Sequence, residues 1–493
     1  MFEKEQSLIQ QQIVSILKEA QLPAEPLKWT WIPFSGHWGI ATSMFGTASA
    51  EAKSGKKVNV KERAAEIAEL VHARIQLPPE FEKVEAINGY INLYFNSDTF
   101  ARRAVDEVLE QGGDFGRGEP NGRTVMVEYS QPNTHKAFHV GHLRNMVLGS
   151  SICEIIEFAG SKVIRANYIG DIGLHVIKWL WNYMTFHNGE IPPREGMTRW
   201  MGGLYAEAVK RLEENPDLDE QMRALFKRWD ERDPEIVALW KKTRQWSLDA
   251  FDQVYSLLGI RFERIYFESD VEDSGKDIVA GLIEKGLAKD ERPEGAVIVD
   301  LDSIMGTKEK YRVLVILRSD GTSLYSTKDL SLAIQKFNEY PLDQSVYVID
   351  VRQSLYMQQI FQVMELMGYT WAKSCYHLAY EIVNLPGNVT IASREGTVVL
   401  LEDLITEAEK RARVIVDEKN PDLADDLKAV IARSVAIGAI KYSLLNRDNT
   451  KIITFDWNAA MDVNGQAAPY IQYAAVRANS ILRKVQFSIP EST

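Results

Sequence analysis

The sequence predicts an α/β protein built on a parallel sheet, preceded by a separate α+β unit and followed by a helical region. Two stretches carry the sheet. TVMVEYS, a helix-patterned segment and KVIRANYIG follow one another as strand, helix and strand, and LYSTKDLSLAIQKF, QSVYVID and SLYMQQIFQVMELMG continue the alternation further along. That order implies parallel βαβ units, whose ligands gather at the carboxyl ends of the strands. The third observation is the Gly-rich EQGGDFGRGEPNGR, which breaks the pattern and sets a boundary at residue 118.

Residues 1–118 begin with an amphipathic helix, continue through the helical VKERAAEIAELVHARI and reach YINLYF, where large apolar residues alternate with polar ones as in a strand. After the boundary, apolar residues recur at intervals of three and four from about His139 through LRNMVLGSSICEIIEFAG, the signature of a helix. Residues from about 180 to 300 are helical and acidic, with β-rich segments near AVIVDL and YRVLVIL. They read as an insertion between two halves of one sheet. From about 403 onward the pattern is helical, with no short-period repeat. A length of 493 residues accommodates this plan, at about 150 residues per domain.

Composition excludes several classes. With 45% hydrophobic and 26% charged residues, the chain has no disordered or fibrous bias. No apolar run approaches the roughly 20 residues that cross a bilayer. The opening MFEKEQSLIQQQIVSILKEAQLP lacks a signal core and an Arg-rich transit pattern, so a cytoplasmic address without a membrane partner is expected. Cys153 and Cys375 lie too far apart for a disulfide framework or a Cys-rich zinc site, and both read as small core residues. The net charge of −12 argues against a chain coated for nonspecific nucleic-acid binding, yet leaves a local basic surface open.

The chemistry concentrates in residues 127–145, VEYSQPNTHKAFHVGHLRN. A helix amino terminus presents unpaired N–H groups and partial positive charge, so phosphates bind there readily. His139 and His142 add donors on the first turn, Gly141 lets a base or ribose approach the backbone, and Lys136 adds a cation. Together these groups would hold a nucleoside triphosphate and stabilise charge developing on its phosphates. A metal site at His135, His139 and His142 is the alternative, since their spacing suits one helical face. It lacks the glutamate of the HEXXH pattern, and no metal ligand is assigned.

This segment resembles the HxGH element of class I aminoacyl-tRNA synthetases, and the full 19 residues resemble its arginyl-tRNA synthetase version. NYIGDIGLH at 167–175 and DGTSLYSTKDL at 320–330 are similar to that family's second-strand and arginine-pocket segments. The resemblance implies a Rossmann-like catalytic domain over 119–402 and an amino-terminal additional tRNA-binding domain over 1–118. It further implies a helical stem-contact region over 403–468. Recognising a guanidinium requires carboxylates in bidentate reach. Glu128 ends the first strand, and Tyr325 and Asp329 lie four apart on one helical face. The resemblance assigns side-chain contacts to these three, and the substrate's amino and carboxyl groups to Asn133 and Gln353.

The second class signature, the KMSKS loop, is degenerate. Thr390, Ile391 and Ala392 stand in place of Lys-Met-Ser, while Ser393, Arg394 and Gly396 remain and are expected to face the phosphates. By the resemblance, Lys136 supplies the missing charge. Against the family it resembles, the chain has Tyr356 where a His is common and Arg352 where an acid is common, and either departure is expected to alter the ribose side of the nucleotide pocket. PYIQYAAVRANSILRKVQ at 469–486 is similar to the first helix of an anticodon-binding domain, of which 469–493 is the expected start. The expectation is a fragment or natural short form lacking most of that domain, so that the chain alone activates arginine weakly or not at all.

The resemblance therefore implies an arginine–tRNA ligase. It would activate arginine with ATP, accompanied by Mg²⁺, and transfer it to the 3′ end of tRNA(Arg). A monomer is expected. The rival is a catalytically impaired or RNA-binding relative.

Overall fold

The computed structural model describes residues 2–32, 36–55, 57–385, 389–390, 400–462 and 465–484. The chain divides into two compact units, one running to Arg117 and the other starting at Gly118. The first is α+β, as its patterning predicts. Its antiparallel sheet runs in the order Trp29–Trp31, Gly39–Ser43, Tyr90–Phe95, Phe81–Ile87. Helices Glu3–Glu19 and Val60–His72 bury Ile9, Ile13, Ile67 and Val71 with Ile91 and Leu93 in a core of their own.

In the second unit, five strands form one wholly parallel sheet. The elements framing the cleft are β1 (Thr124–Glu128), α1 (Val140–Phe158), β2 (Lys162–Ile169), β3 (Arg264–Phe267), α2 (Glu268–Glu284), α3 (Tyr325–Glu339), β4 (Gln344–Asp350), α4 (Ser354–Leu366) and β5 (Cys375–Tyr380). The strand order is β5-β4-β1-β2-β3. From β1 the chain winds outward through β2 and β3, then returns to the other side of β1 for β4. The order reverses there, which opens a crevice at the carboxyl ends of β1 and β4.

Alternation along the strands divides the two faces. Val125 and Val127 pack with Leu143, Met146 and Val147 of α1 and with Leu404 and Ala436 of the helices Leu401–Lys419 and Asp425–Leu445. Met126 and Ile164 pack on the opposite face with Val271 of α2 and Leu332 of α3. A sheet covered on both faces explains the nearly continuous apolar run of β1.

The stretch from 180 to 300 departs from the expected helical insertion. Helices Met197–Glu214, Leu218–Asp230 and Pro234–Leu258 do pack around Trp179, Trp229 and Trp240. Yet Arg264–Phe267 inside it is the edge strand β3 of the main sheet, too short for its alternation to register against helices on either side. The β-rich AVIVDL and YRVLVIL pair antiparallel as Val297–Asp300 and Val313–Leu317, in a small separate sheet. Among the described residues, no helix is long and apolar enough to cross a membrane.

Candidate active site

Two adjoining cavities open at the crevice, and Gln131, Ile349 and Gln353 line both. The first, of about 360 Å³, is acidic, with Glu128, Glu268 and Asp329 on its walls beside Tyr168, Tyr325 and Tyr356. β1 delivers Glu128 from its last position, and α3 delivers Tyr325 and Asp329 from its first two turns. Tyr325 and Asp329 share a helical face, as their spacing predicts, and Glu128 lines the same cavity from the sheet.

Each carboxylate already has a partner from the chain. Lys336, two turns beyond Asp329 on α3, pairs with Glu128 in a fully buried ion pair, and Gln131 Nε2 donates to the same carboxylate at 2.7 Å. Lys328 Nζ reaches Glu268 Oε2 at 2.7 Å. The Tyr356 hydroxyl donates to Asp329 Oδ2. Burial pushes the Asp329 carboxyl up to about 7, with Tyr356 opposing the rise and Glu128 and Glu268 adding to it. Burial also raises Glu268, against the pull of Lys328. The sequence reading missed Glu268, Lys336 and Tyr168. Tyr168 lies within NYIGDIGLH without being singled out there, and Lys336 left a signal in its spacing, since seven residues after Asp329 is the same helical face.

The second cavity, of about 750 Å³, is walled by Asn133, His139, Gly141, His142, Asp350 and Arg352. His139 is the N-cap of α1: its Nδ1 accepts the Gly141 N–H at 3.1 Å, while His142 Nδ1 accepts the His139 N–H at 3.2 Å. Both acceptors being Nδ1, the neutral rings carry their protons on Nε2. Burial lowers the His139 pKa to about 4 and His142 well below its ordinary value, with Lys136 adding to both. The pair are uncharged donors at neutral pH.

The loop between β1 and α1 is strained, with φ of 77° at Ser130, 51° at Gln131 and 62° at His135. Buried amides hold it. Asn145 Oδ1 accepts the Ser130 N–H at 2.6 Å and Asn167 Oδ1 the Gln131 N–H at 3.1 Å. Asn145 Nδ2 in turn donates to Val348 O of β4 at 2.7 Å. Asn133 bridges to Gly170, where a Cβ would collide with its Oδ1.

Several expectations need correction. Lys136 points its ammonium over the Tyr205 ring of the insertion, 4.9 Å from the centroid, and does not line the cavity. Burial lowers its pKa, and Lys178 adds to the effect. The space beside Gly141 serves the neighbouring side chain first, since a Cβ there would lie 2.9 Å from His139 Cε1. His135 shares no helical face with the other two histidines. It precedes α1 and is sealed between Thr134 Oγ1 at 2.9 Å and Thr243 Oγ1 at 2.8 Å. Tyr356 faces the acid cavity rather than a ribose, because α4 turns it toward Asp329. Arg352 does line the histidine cavity, tied to Asp350 at 2.8 and 2.9 Å. Ser393, Arg394 and Gly396 lie outside the described residues.

Residues 104–457 match the family model for class I (R) tRNA synthetases, catalytic domain. The arginine–tRNA ligase of Alkaliphilus metalliredigens is 35% identical over 428 residues, 86% of this chain and 73% of that protein. That of Treponema denticola is 35% identical over 434 residues, 86% and 72%. The Thermus thermophilus arginyl-tRNA synthetase structure matches with a TM-score of 0.78 at 27% identity, covering 99% of this chain and 84% of its own. The Plasmodium falciparum enzyme shares the fold, at 21% identity and a TM-score of 0.74, over 99% of this chain and 81% of its own. A family model spanning the whole parallel sheet, and relatives above a third identical across most of both chains, establish that this chain belongs to the arginyl-tRNA synthetases of class I.

Proposed function

We propose that the chain ligates arginine to tRNA(Arg) at the two adjoining cavities, with the acid cavity taking the guanidinium and the histidine cavity taking ATP. The observation carrying this is their junction. Gln131, Ile349 and Gln353 belong to both, so an arginine whose side chain lies among Glu128, Glu268 and Asp329 would present its backbone carboxylate to the histidine side.

In the first step the arginine carboxylate oxygen attacks the α-phosphorus of ATP, a P–O bond forms, and the bond to pyrophosphate breaks. Asn133 and Gln353 orient the amino and carboxylate groups. Nε2–H of His139 and His142 and the partial positive charge of the α1 amino terminus stabilise charge on the phosphate oxygens. Lys136 acts at one remove, through the electrostatics of the two histidines. Ser393, Arg394 and Gly396 are assigned to the pyrophosphate side by similarity alone. In the second step a ribose hydroxyl of the terminal adenosine attacks the arginyl carbonyl and AMP leaves.

Mg²⁺ enters as part of the ATP substrate. The nucleotide's phosphates present the hard oxygen donors that would hold it. The unit preceding Gly118 and the helices Leu401–Lys419 and Asp425–Leu445 are assigned to tRNA contact, and the setting to the cytoplasm as a monomer. Arginine-dependent exchange of pyrophosphate into ATP, with and without tRNA(Arg), tests the reading. Exchange that requires arginine supports it; tRNA binding without exchange or charging would favour the RNA-binding relative.

A further inference from the structure

Two tyrosines of the acid cavity, Tyr168 and Tyr347, have buried hydroxyls with no hydrogen-bond partner among the described residues, and the Tyr347 ring already lies under the Lys336 ammonium, 4.3 Å from its centroid. Tyr168, at the end of β2, lines that cavity, and its hydroxyl is a buried oxygen with no hydrogen-bond partner among the described residues. Buried hydroxyls in folded proteins are paired, so an orphan beside a cavity calls for a partner from outside the chain. The surrounding carboxylates do not satisfy it. Glu128 is engaged by Lys336 and Gln131, Glu268 by Lys328, and Asp329 by Tyr356.

We propose that Tyr168 is a further arginine-recognition residue, whose hydroxyl oxygen accepts an N–H of the substrate guanidinium. The assignment rests on the acid cavity being the arginine site. A guanidinium carries five N–H donors in a planar fork, more than the free oxygens of Asp329 can accept. A phenol supplies a directional acceptor without charge. A fourth carboxylate there would add to the repulsion that Glu128 and Glu268 already exert on Asp329. Burial raises the Tyr168 pKa well above the ordinary phenol value, with Asp329, Glu268 and Glu128 adding to it, so the hydroxyl stays neutral.

The test is Tyr168→Phe, which removes one oxygen and keeps the ring. Arginine is titrated calorimetrically into wild type and variant, and the KM values for arginine and ATP are compared in pyrophosphate exchange with tRNA. The expected result is an arginine Kd and KM raised about tenfold or more, because a buried donor of the ligand loses its acceptor. The ATP KM stays within about twofold, and the melting temperature without arginine is unchanged or higher, since an orphaned hydroxyl is removed. An unchanged arginine Kd overturns the proposal. So does a variant that melts lower or does not fold, because the hydroxyl would then serve the fold. Wild-type protein that binds no arginine removes the acid-cavity reading itself, and this assignment with it.

Discussion

The acid cavity and the histidine cavity share three lining residues and a crevice, yet they are built on opposite electrostatic plans. Charge dominates the first: three carboxylates, two of them paired with lysines of the chain, and an Asp329 whose pKa sits at about 7. The second presents neutral rings, with His139 depressed to about 4 and His142 lower than its ordinary value. Recognising a cation by its shape calls for anions held apart and oriented. Stabilising charge that appears only during the reaction calls for donors already fixed in place. Substitutions in the two cavities should therefore fail differently.

Asp329→Asn should separate them most sharply. It leaves a guanidinium facing an amide donor, and kcat/KM for arginine should fall about 10³- to 10⁴-fold while the ATP KM hardly moves. A comparable rise in ATP KM would mean that the cavities are one site. Lys336→Met comes next, as a test of stability rather than of catalysis. Leaving Glu128 buried and uncompensated should cost about 3–5 kcal/mol in urea unfolding, and Lys336→Met with Glu128→Gln should recover most of it. Equal losses in the single and double variants would show that the ion pair contributes nothing.

On the histidine side, His139→Asn keeps a side-chain oxygen able to cap α1 and removes the ring donor. A kcat lower by about 10²-fold, with arginine KM unchanged, is the expected outcome. A rise confined to arginine KM would reassign His139 to the amino acid.

The histidine half was legible in the sequence because its residues are contiguous. His139, Gly141 and His142 fall within four positions at a helix start, and the short β-rich runs of β1 and β2 flank that helix. The acid half was only partly legible. Tyr325 and Asp329 share a helical face, but the partners that set their chemistry come from elsewhere. Lys336 meets Glu128 across 208 residues and Lys328 meets Glu268 across 60. No local pattern encodes such pairs. Glu268 was hidden further because β3, the four-residue strand placing it, carries too few alternations to be recognised. Lys136 shows the limit of a local motif: its position suggested a phosphate contact, and its ammonium lies over the Tyr205 ring of the insertion, a neighbour distant in sequence.

Acidity offers a gentler probe of the same contrast. Asp329 ionises as pH rises through about 7, and a guanidinium pairs with the ionised form. Below that pH arginine must displace a proton, so its affinity should fall about tenfold per pH unit, and above it should level off. The histidines remain neutral down to about pH 5 on the His139 value of about 4. With arginine saturating, kcat should accordingly show no acid limb near pH 7.

Tyr356→Phe should produce the smallest change and the most specific one. The Tyr356 hydroxyl stabilises the charged form of Asp329, so its loss should move that carboxyl further above 7. Arginine KM at pH 8 should rise only about fivefold, since a single hydrogen bond is worth about 1 kcal/mol. Its acid limb should nevertheless shift to higher pH, so that the ratio of variant to wild-type KM widens at pH 6.5. A purely structural tyrosine would raise KM by the same factor at both pH values. A limb that stays in place would mean that burial alone, with Glu128 and Glu268, sets the acidity of Asp329, and that Tyr356 serves only as a wall for the Tyr325 ring, 4.8 Å away between centroids.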